Sequence, residues 1–438
     1  MDRKGFIAFL LLLLCVGVTV SFNPCQPTMV HIAYGDDVSK MIITWSTIND
    51  SASIVQYGDS VKNLTLAQKG NSTKFTEADG KSTRFQFIHR VDLENLKPNT
   101  TYFYIAGSPM GWSSTFHFRT MPVGEDWSPS LAIFGDMGSK NAQSIPRLVS
   151  DAAVGMYDAI LHVGDFAYDL TGDDGRVGDR FMEQIEPLAS SLPYMTCVGN
   201  HENYYNFSKY RSIFNMPNDN RKMYFSFNMG PIHFVSISTE FFYFPHFGFD
   251  QIEDQYEWVK KDLTEASKPE NREKRPWIIT FGHRPMYCSN NDNDDCTSNE
   301  SLVRVGVHAM GVHGYEDLFH QFGVDVAIWA HEHSYERLWP VYNLKVMNGS
   351  YEEPYTNPGG ITHIITGSAG CSEGHEHFET NPPPWSAYRN SDYGFTRMRA
   401  LNKTHLYFEQ VSDTQNGRIL DHFTLIRDHH SSYSKKSE

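Results

Sequence analysis

The sequence lacks repeats and low-complexity tracts, and beyond its first residues it has no apolar run long enough to span a bilayer. Those absences exclude a repeat array, a disordered chain and a protein with several membrane spans. Basic residues are also in short supply: 37 Lys and Arg stand against 52 Asp and Glu, a formal charge of -15. A surface of that sign repels polyanions at long range, which argues against nucleic acid as a partner. It does not exclude phosphate in a pocket where cations reverse the local sign. With 40% hydrophobic and 14% aromatic residues, the 438-residue chain has material for two packed domains.

The first residues read as a leader. Arg3 and Lys4 precede an apolar run from Phe6 to Val20 that ends in small residues near Ser21. A basic start, an apolar stretch of about 15 residues and a small-residue exit predict a secretory signal peptide over 1–21, because a span needs roughly 20. Its removal takes away one acid and two bases, leaving -16. The expected location is secreted and extracellular, with lysosomal delivery left open and no stable membrane anchor. Eight Asn-x-Ser/Thr sites fit that route: Asn49, Asn63, Asn71, Asn99, Asn206, Asn299, Asn348 and Asn402. Cys15 falls in the leader, so five cysteines remain. Cys288 and Cys296 flank a short polar loop and are expected to pair in an oxidising compartment. Five is odd, and Cys197 on an apolar strand is the expected free thiol.

From 22 to 122 the pattern is short alternating strands broken by turns, such as Met29–Tyr34 and Met41–Trp45. The run Leu96-Lys97-Pro98-Asn99-Thr100-Thr101-Tyr102 resembles a fibronectin type III tyrosine corner, with Trp45 as the early core tryptophan. The expectation is an all-β sandwich. After Pro122 the pattern changes to apolar strands separated by helical stretches, predicting an α/β domain over 123–428 and a polar tail over 429–438. One helix is expected to start with Asp250 as cap and Glu253 completing a capping box, presenting Ile252, Tyr256, Val259 and Leu263 on one face.

Five predicted strands of the second region, at 131–134, 159–163, 194–198, 277–280 and 326–329, run into polar residues able to bind metal. The blocks are Gly135-Asp136, Gly164-Asp165-Phe166-Ala167-Tyr168, Gly199-Asn200-His201-Glu202, Gly282-His283-Arg284 and Ala330-His331-Glu332-His333. The carboxyl ends of strands are where open α/β sheets bind ligands, and glycine lets the backbone turn sharply there. Any one block alone reads as a turn. Five at the same topological point read as a site. His162 and His233, inside strands, are expected to be hydrogen-bonded structural histidines, and Met137 and Phe166 to be packing. Arg284 is read either as a phosphate contact or as an exposed salt bridge. No serine or cysteine triad is present to supply a protein nucleophile.

In this order and spacing the five blocks resemble the metallophosphoesterase superfamily, and Tyr168 narrows the resemblance to purple acid phosphatases. The resemblance implies a mixed-sheet α/β sandwich flanked by helices and preceded by a fibronectin type III-like domain. It places Asp136, Tyr168 and His333 on a ferric ion and Asn200, His283 and His331 on a divalent ion, with Asp165 bridging. Zinc is the expected second ion, with Fe(II) or Mn(II) as alternatives; hard oxygen donors suit Fe(III), and imidazoles with an amide oxygen suit the others. His331 and His333 are two apart, so on a strand they would share a face, whereas a loop would let them diverge.

The implied reaction is acid phosphatase chemistry on small phosphate monoesters, with a metal-bound hydroxide as nucleophile. His201, beside Asn200, is placed to bind phosphate or protonate the leaving group. Two alternatives accompany it: a preference for diesters or nucleotide pyrophosphates at the same centre, and an adhesion protein with a vestigial catalytic domain. Plant members of the family carry a histidine pair in the loop after the fourth block, whereas here Ser289–Asp295 holds none. Oligomeric state is not legible.

Overall fold

The structure is a computed structural model that describes residues 22–218 and 222–433. The predicted leader, with Cys15, and the last five residues of the polar tail lie outside the described residues. Among the described residues no helix is long and apolar enough to cross a membrane.

The N-terminal region is two facing antiparallel sheets. One pairs Thr28–Tyr34, Met41–Thr47, Phe85–Leu93 and Asn71–Thr76 in that spatial order. The other places Leu66–Lys69, Ile54–Gly58 and Thr101–Ser108 side by side, with Phe116–Arg119 on the last. β-Branched and aromatic residues alternate along these strands, and their inward set, including Trp45, Val55, Tyr104 and Phe118, fills the space between the sheets. The Tyr102 hydroxyl accepts the Lys97 N–H at 2.9 Å, the tyrosine-corner bond that pins the loop before its strand.

The rest of the chain forms two mixed sheets. The first orders Tyr194–Cys197, Ala159–Val163 and Ser130–Phe134 in parallel, followed by three antiparallel strands through Gly394–Ala400, His405–Ser412 and Arg418–Ile426. The second runs Ile232–Ser236, Trp277–Phe281, Val326–Trp329 and Thr362–Thr366 in parallel, with antiparallel strands at both ends. All five predicted strands are present, and their side chains are buried along their whole length. Continuous apolar strands of this kind arise where both faces of a sheet are covered.

The helix Asp250–Ala266 buries Ile252, Val259 and Leu263, with Tyr256 partly buried. Its cap differs from expectation. Asp250 is already helical, Phe249 occupies the cap position, and no side chain caps the end. The two acids instead sit in the first turn, where they favour the helix dipole.

The sandwich is anchored to the larger region by polar contacts. The Val30 N–H donates to Glu186 Oε2 at 2.8 Å, and the buried Lys209 ammonium donates to Glu77 Oε1 at 2.6 Å. Cys288 and Cys296 are bonded to each other, and Cys25, Cys197 and Cys371 are free and buried. Among the described residues three thiols rather than one are thus free, and Cys371 Sγ lies 3.4 Å from His333 Nδ1.

Candidate metal centre

The parallel strands of both sheets end at one place, so residues far apart in sequence meet across the seam. Across the seam Gly135 donates its N–H to the Thr366 carbonyl at 2.9 Å and His331 donates its N–H to Asp136 Oδ2 at 3.0 Å, while within the second sheet Ala330 donates to the His283 carbonyl at 2.9 Å. The glycines matter here for space. A Cβ on Gly164 would stand 2.5 Å from His283 Nδ1, and one on Gly199 would stand 2.1 Å from Asp165 Oδ1. Any side chain at either point would displace a donor.

All seven sequence-predicted donors come together, in two groups. In the first, the Tyr168 hydroxyl lies 3.0 Å from Asp136 Oδ1 and 2.8 Å from His333 Nε2. In the second, His283 Nε2 lies 3.2 Å from Asp165 Oδ2, 3.1 Å from Asn200 Oδ1 and 3.3 Å from His331 Nδ1. The two groups adjoin: the His331 N–H of the second donates to Asp136 Oδ2 of the first at 3.0 Å, and the Asp165 charge bears on Tyr168 as well as on His283. His331 and His333 diverge, one to each group, because they lie in the turn after the strand and His331 has a left-handed backbone (φ 72°). Asp136, Asp165 and Tyr168 are left-handed too, at φ 55°, 54° and 52°. Each such residue costs on the order of 1–2 kcal/mol, so the contacts around these donors must hold the conformation in place.

The second group tests whether a cation fits. His283 Nδ1 lies 2.8 Å from the Val163 carbonyl, which can only accept, so Nδ1 carries a hydrogen and Nε2 is the nitrogen left to face a cation. With both rings deprotonated on their inward nitrogens, His283 Nε2, His331 Nδ1, Asn200 Oδ1 and Asp165 Oδ2 would turn four lone pairs to one point, where a metal ion would take the place of the protons. Donors about 2.1 Å from a shared ion at tetrahedral angles stand about 3.4 Å apart, close to the spacing found. The residues fit a metal ion.

Electrostatics agree. Burial alone pushes the His283 imidazole down, but the Asp165 and Asp136 carboxylates outweigh it and carry it up to about 10. His333 is likewise depressed by burial and then raised to about 12 by Asp136 and Cys371. Burial, then Asp136 and Asp165, holds the Tyr168 hydroxyl well above the usual phenol range. Asp165 goes the other way: burial raises it, yet His283 and His201 keep it below the ordinary carboxylate range. The negative charge gathered here is what a bound cation would neutralise.

His201 stands at the edge of the groups. Its backbone N–H donates to Asp165 Oδ1 at 2.9 Å, its Nδ1 lies 2.5 Å from Asp169 Oδ1, and its ring packs on Tyr168. Burial lowers it, but the Asp169 bond and the Asp165 charge raise it to about 9. Sequence reasoning missed Asp169, although it follows Tyr168 directly. It also assigned no role to Glu202, whose buried carboxylate accepts the N–H groups of Asp165, Phe166 and Gly199 and ties two strand ends together.

Arg284 is mostly buried rather than exposed, paired with Glu240 at 3.2 Å and Asp294 at 3.2 Å. Met137 and Phe166 are buried packing, and His162 is buried with Nδ1 on the Tyr194 hydroxyl but no partner for Nε2. His233 is bonded to Asn228 and Asp262.

Two mixed sheets delivering such donors from their strand ends define a metallophosphoesterase, and residues 129–335 match the calcineurin-like phosphoesterase model. Residues 27–120 match the purple acid phosphatase N-terminal domain and 360–422 the iron/zinc purple acid phosphatase-like protein C model. The chain is 51% identical to acid phosphatase type 7 of Danio rerio over 92% of both chains, and 51% identical to that of Homo sapiens over 95% of both. It belongs to the purple acid phosphatase family. The fold matches the purple acid phosphatase from Lupinus luteus seeds with a TM-score of 0.78, at 24% identity, over 93% of this chain and 75% of that one.

Proposed function

We propose that the chain is a secreted acid phosphatase that hydrolyses small phosphate monoesters at a dinuclear centre. Asp136, Tyr168 and His333 would hold one iron ion, Asn200, His283 and His331 one divalent ion (zinc, Fe(II) or Mn(II)), and Asp165 would join them. The observation that carries this reading is that two donor groups stand side by side, Asp136 of the first accepting the His331 N–H of the second at 3.0 Å. When bound, two such cations supply Lewis-acid polarisation of the phosphoryl oxygens and a source of hydroxide at acidic pH.

The chain's own residues do the rest. Val163 fixes the tautomer of His283, so the donor atom is preset. Asp169 holds the His201 ring by Nδ1, leaving Nε2 to bind a phosphate oxygen or give its proton to the leaving oxygen. The leader over 1–21 supports secretion, and Asn49, Asn63, Asn71, Asn99 and Asn402 are exposed where glycans need room. The proposed domains are the sandwich over 22–122 and the catalytic region over 123–428.

Metal analysis of the secreted protein, with rates on a monoester and a diester of one leaving group across pH, tests this. One iron and one divalent ion per chain and faster monoester cleavage at acidic pH are expected. A metal-free active protein, or a diester preference, would overturn it.

A further inference from the structure

The loop Ser289–Asp295, free of histidine, is firmly held beside the second donor group. The Cys288–Cys296 bond closes it, Ser289 N–H and Oγ bond Glu336, and Tyr243 donates to Asp295 Oδ2 at 2.5 Å. This anchoring delivers Asp294 Oδ2 to 2.7 Å from His331 Nε2.

His331 is the one ring in the second group whose outward nitrogen meets a carboxylate. His283 turns its outward Nδ1 to a neutral carbonyl. Arg284 Nη1 also lies 2.7 Å from His331 Nε2, and one tautomer cannot serve both neighbours. Because Nδ1 faces the other donors, 3.3 Å from His283 Nε2, the hydrogen belongs on Nε2. Asp294 can accept it there; Arg284 cannot donate to it. Arg284 instead braces Asp294 and the buried Glu240, and it stacks on Tyr243.

We propose that Asp294 is a positioning residue for the divalent ion: it fixes His331 as an Nδ1 donor and increases that nitrogen's basicity. The inference rests on the proposed dinuclear centre. It gives the histidine-free loop a role in metal retention, acting through His331 alone.

The experiment uses the full secreted protein and Zn(II), with affinity read by chelator competition and iron content measured in parallel. Outer carboxylates of this kind govern metal affinity by ~10–100-fold. Asp294→Ala should weaken zinc by about 100-fold and Asp294→Asn, which keeps an acceptor oxygen, by about 10-fold. Both should keep iron, and added zinc should restore turnover. Asp292→Asn, on the same loop, should bind zinc like wild type. Unchanged zinc affinity in Asp294→Ala overturns the inference. So does loss of both ions together with an equal fall in melting temperature of the metal-free protein, since Asp294 would then act on loop folding. A wild type that binds no divalent ion overturns the dinuclear reading and this inference with it.

Discussion

The sandwich and the strand-end centre both bury histidine, and they treat it in opposite ways. In the sandwich, His89 stacks flat on Trp45 and shares its two nitrogens with the Thr47 and Ser53 hydroxyls. Burial pushes it down to about 4, with Asp50 opposing weakly. At the centre, burial acts on His283 with the same sign, yet carboxylates carry that ring up to about 10. Hydroxyls can satisfy a neutral imidazole as donor or acceptor, and nothing further is required. Carboxylates without a structural cation leave net negative charge buried, which is costly in a finished fold and useful where a cation must bind. The difference separates a histidine that builds a core from one that waits for a ligand.

Asp165→Asn should break the contrast most completely, because it removes the charge proposed to join the two donor groups. Both ions should be lost, with turnover down by more than the ~100-fold that an outer-shell change causes; metal analysis and single-turnover rates check it. Retention of both metals would mean that Asp165 does not join them. His201→Ala should lower kcat by about 100-fold or more while leaving metal content intact, as removal of a general acid does. Asp169→Asn should do the same to a lesser degree. An equal loss of metal would instead make His201 structural.

Tyr168→Phe sharpens the comparison at a single oxygen. It keeps nearly all the packing volume, so melting should shift little, while iron affinity falls and the purple charge-transfer band expected of the wild type disappears. A variant that stays coloured would remove Tyr168 from the centre. The smallest effect belongs to His89. A folded value near 4 against 6.5 unfolded means that the unfolded chain takes up a proton that the folded chain refuses. Stability should therefore fall as pH drops from 6.5 toward 4, by up to a few kcal/mol, and flatten below that. Urea midpoints between pH 7 and 5 measure it, and His89→Gln should flatten the slope. An unchanged slope would assign acid sensitivity to other groups, among them His162 and His363, which burial also depresses to about 3.

Much of this was legible along the chain, for local reasons. An apolar strand that stops at glycine and a polar residue is a short-range signal, and all five such strands are present with those residues at their ends. The tyrosine corner was equally readable, since Lys97 and Tyr102 are only five residues apart in sequence. The helix cap was not, because Asp250 and Phe249 differ by one residue and packing decides which is first to turn. Of the two readings of Arg284, the salt bridge is the one found, but it is mostly buried because Glu240 and Asp294 reach it from separate loops.

The sequence by itself determined which side chains stand at the strand ends, because strand periodicity and glycine breaks are written locally. Only the tertiary structure decided how they group: that His331 joins His283 while His333 joins Tyr168, and that Asp294 closes on His331. Those choices depend on left-handed backbone at Asp136, Asp165, Tyr168 and His331, and on a loop fixed by Cys288–Cys296. No residue's own propensity favours such conformations; contacts between two sheets far apart in sequence impose them.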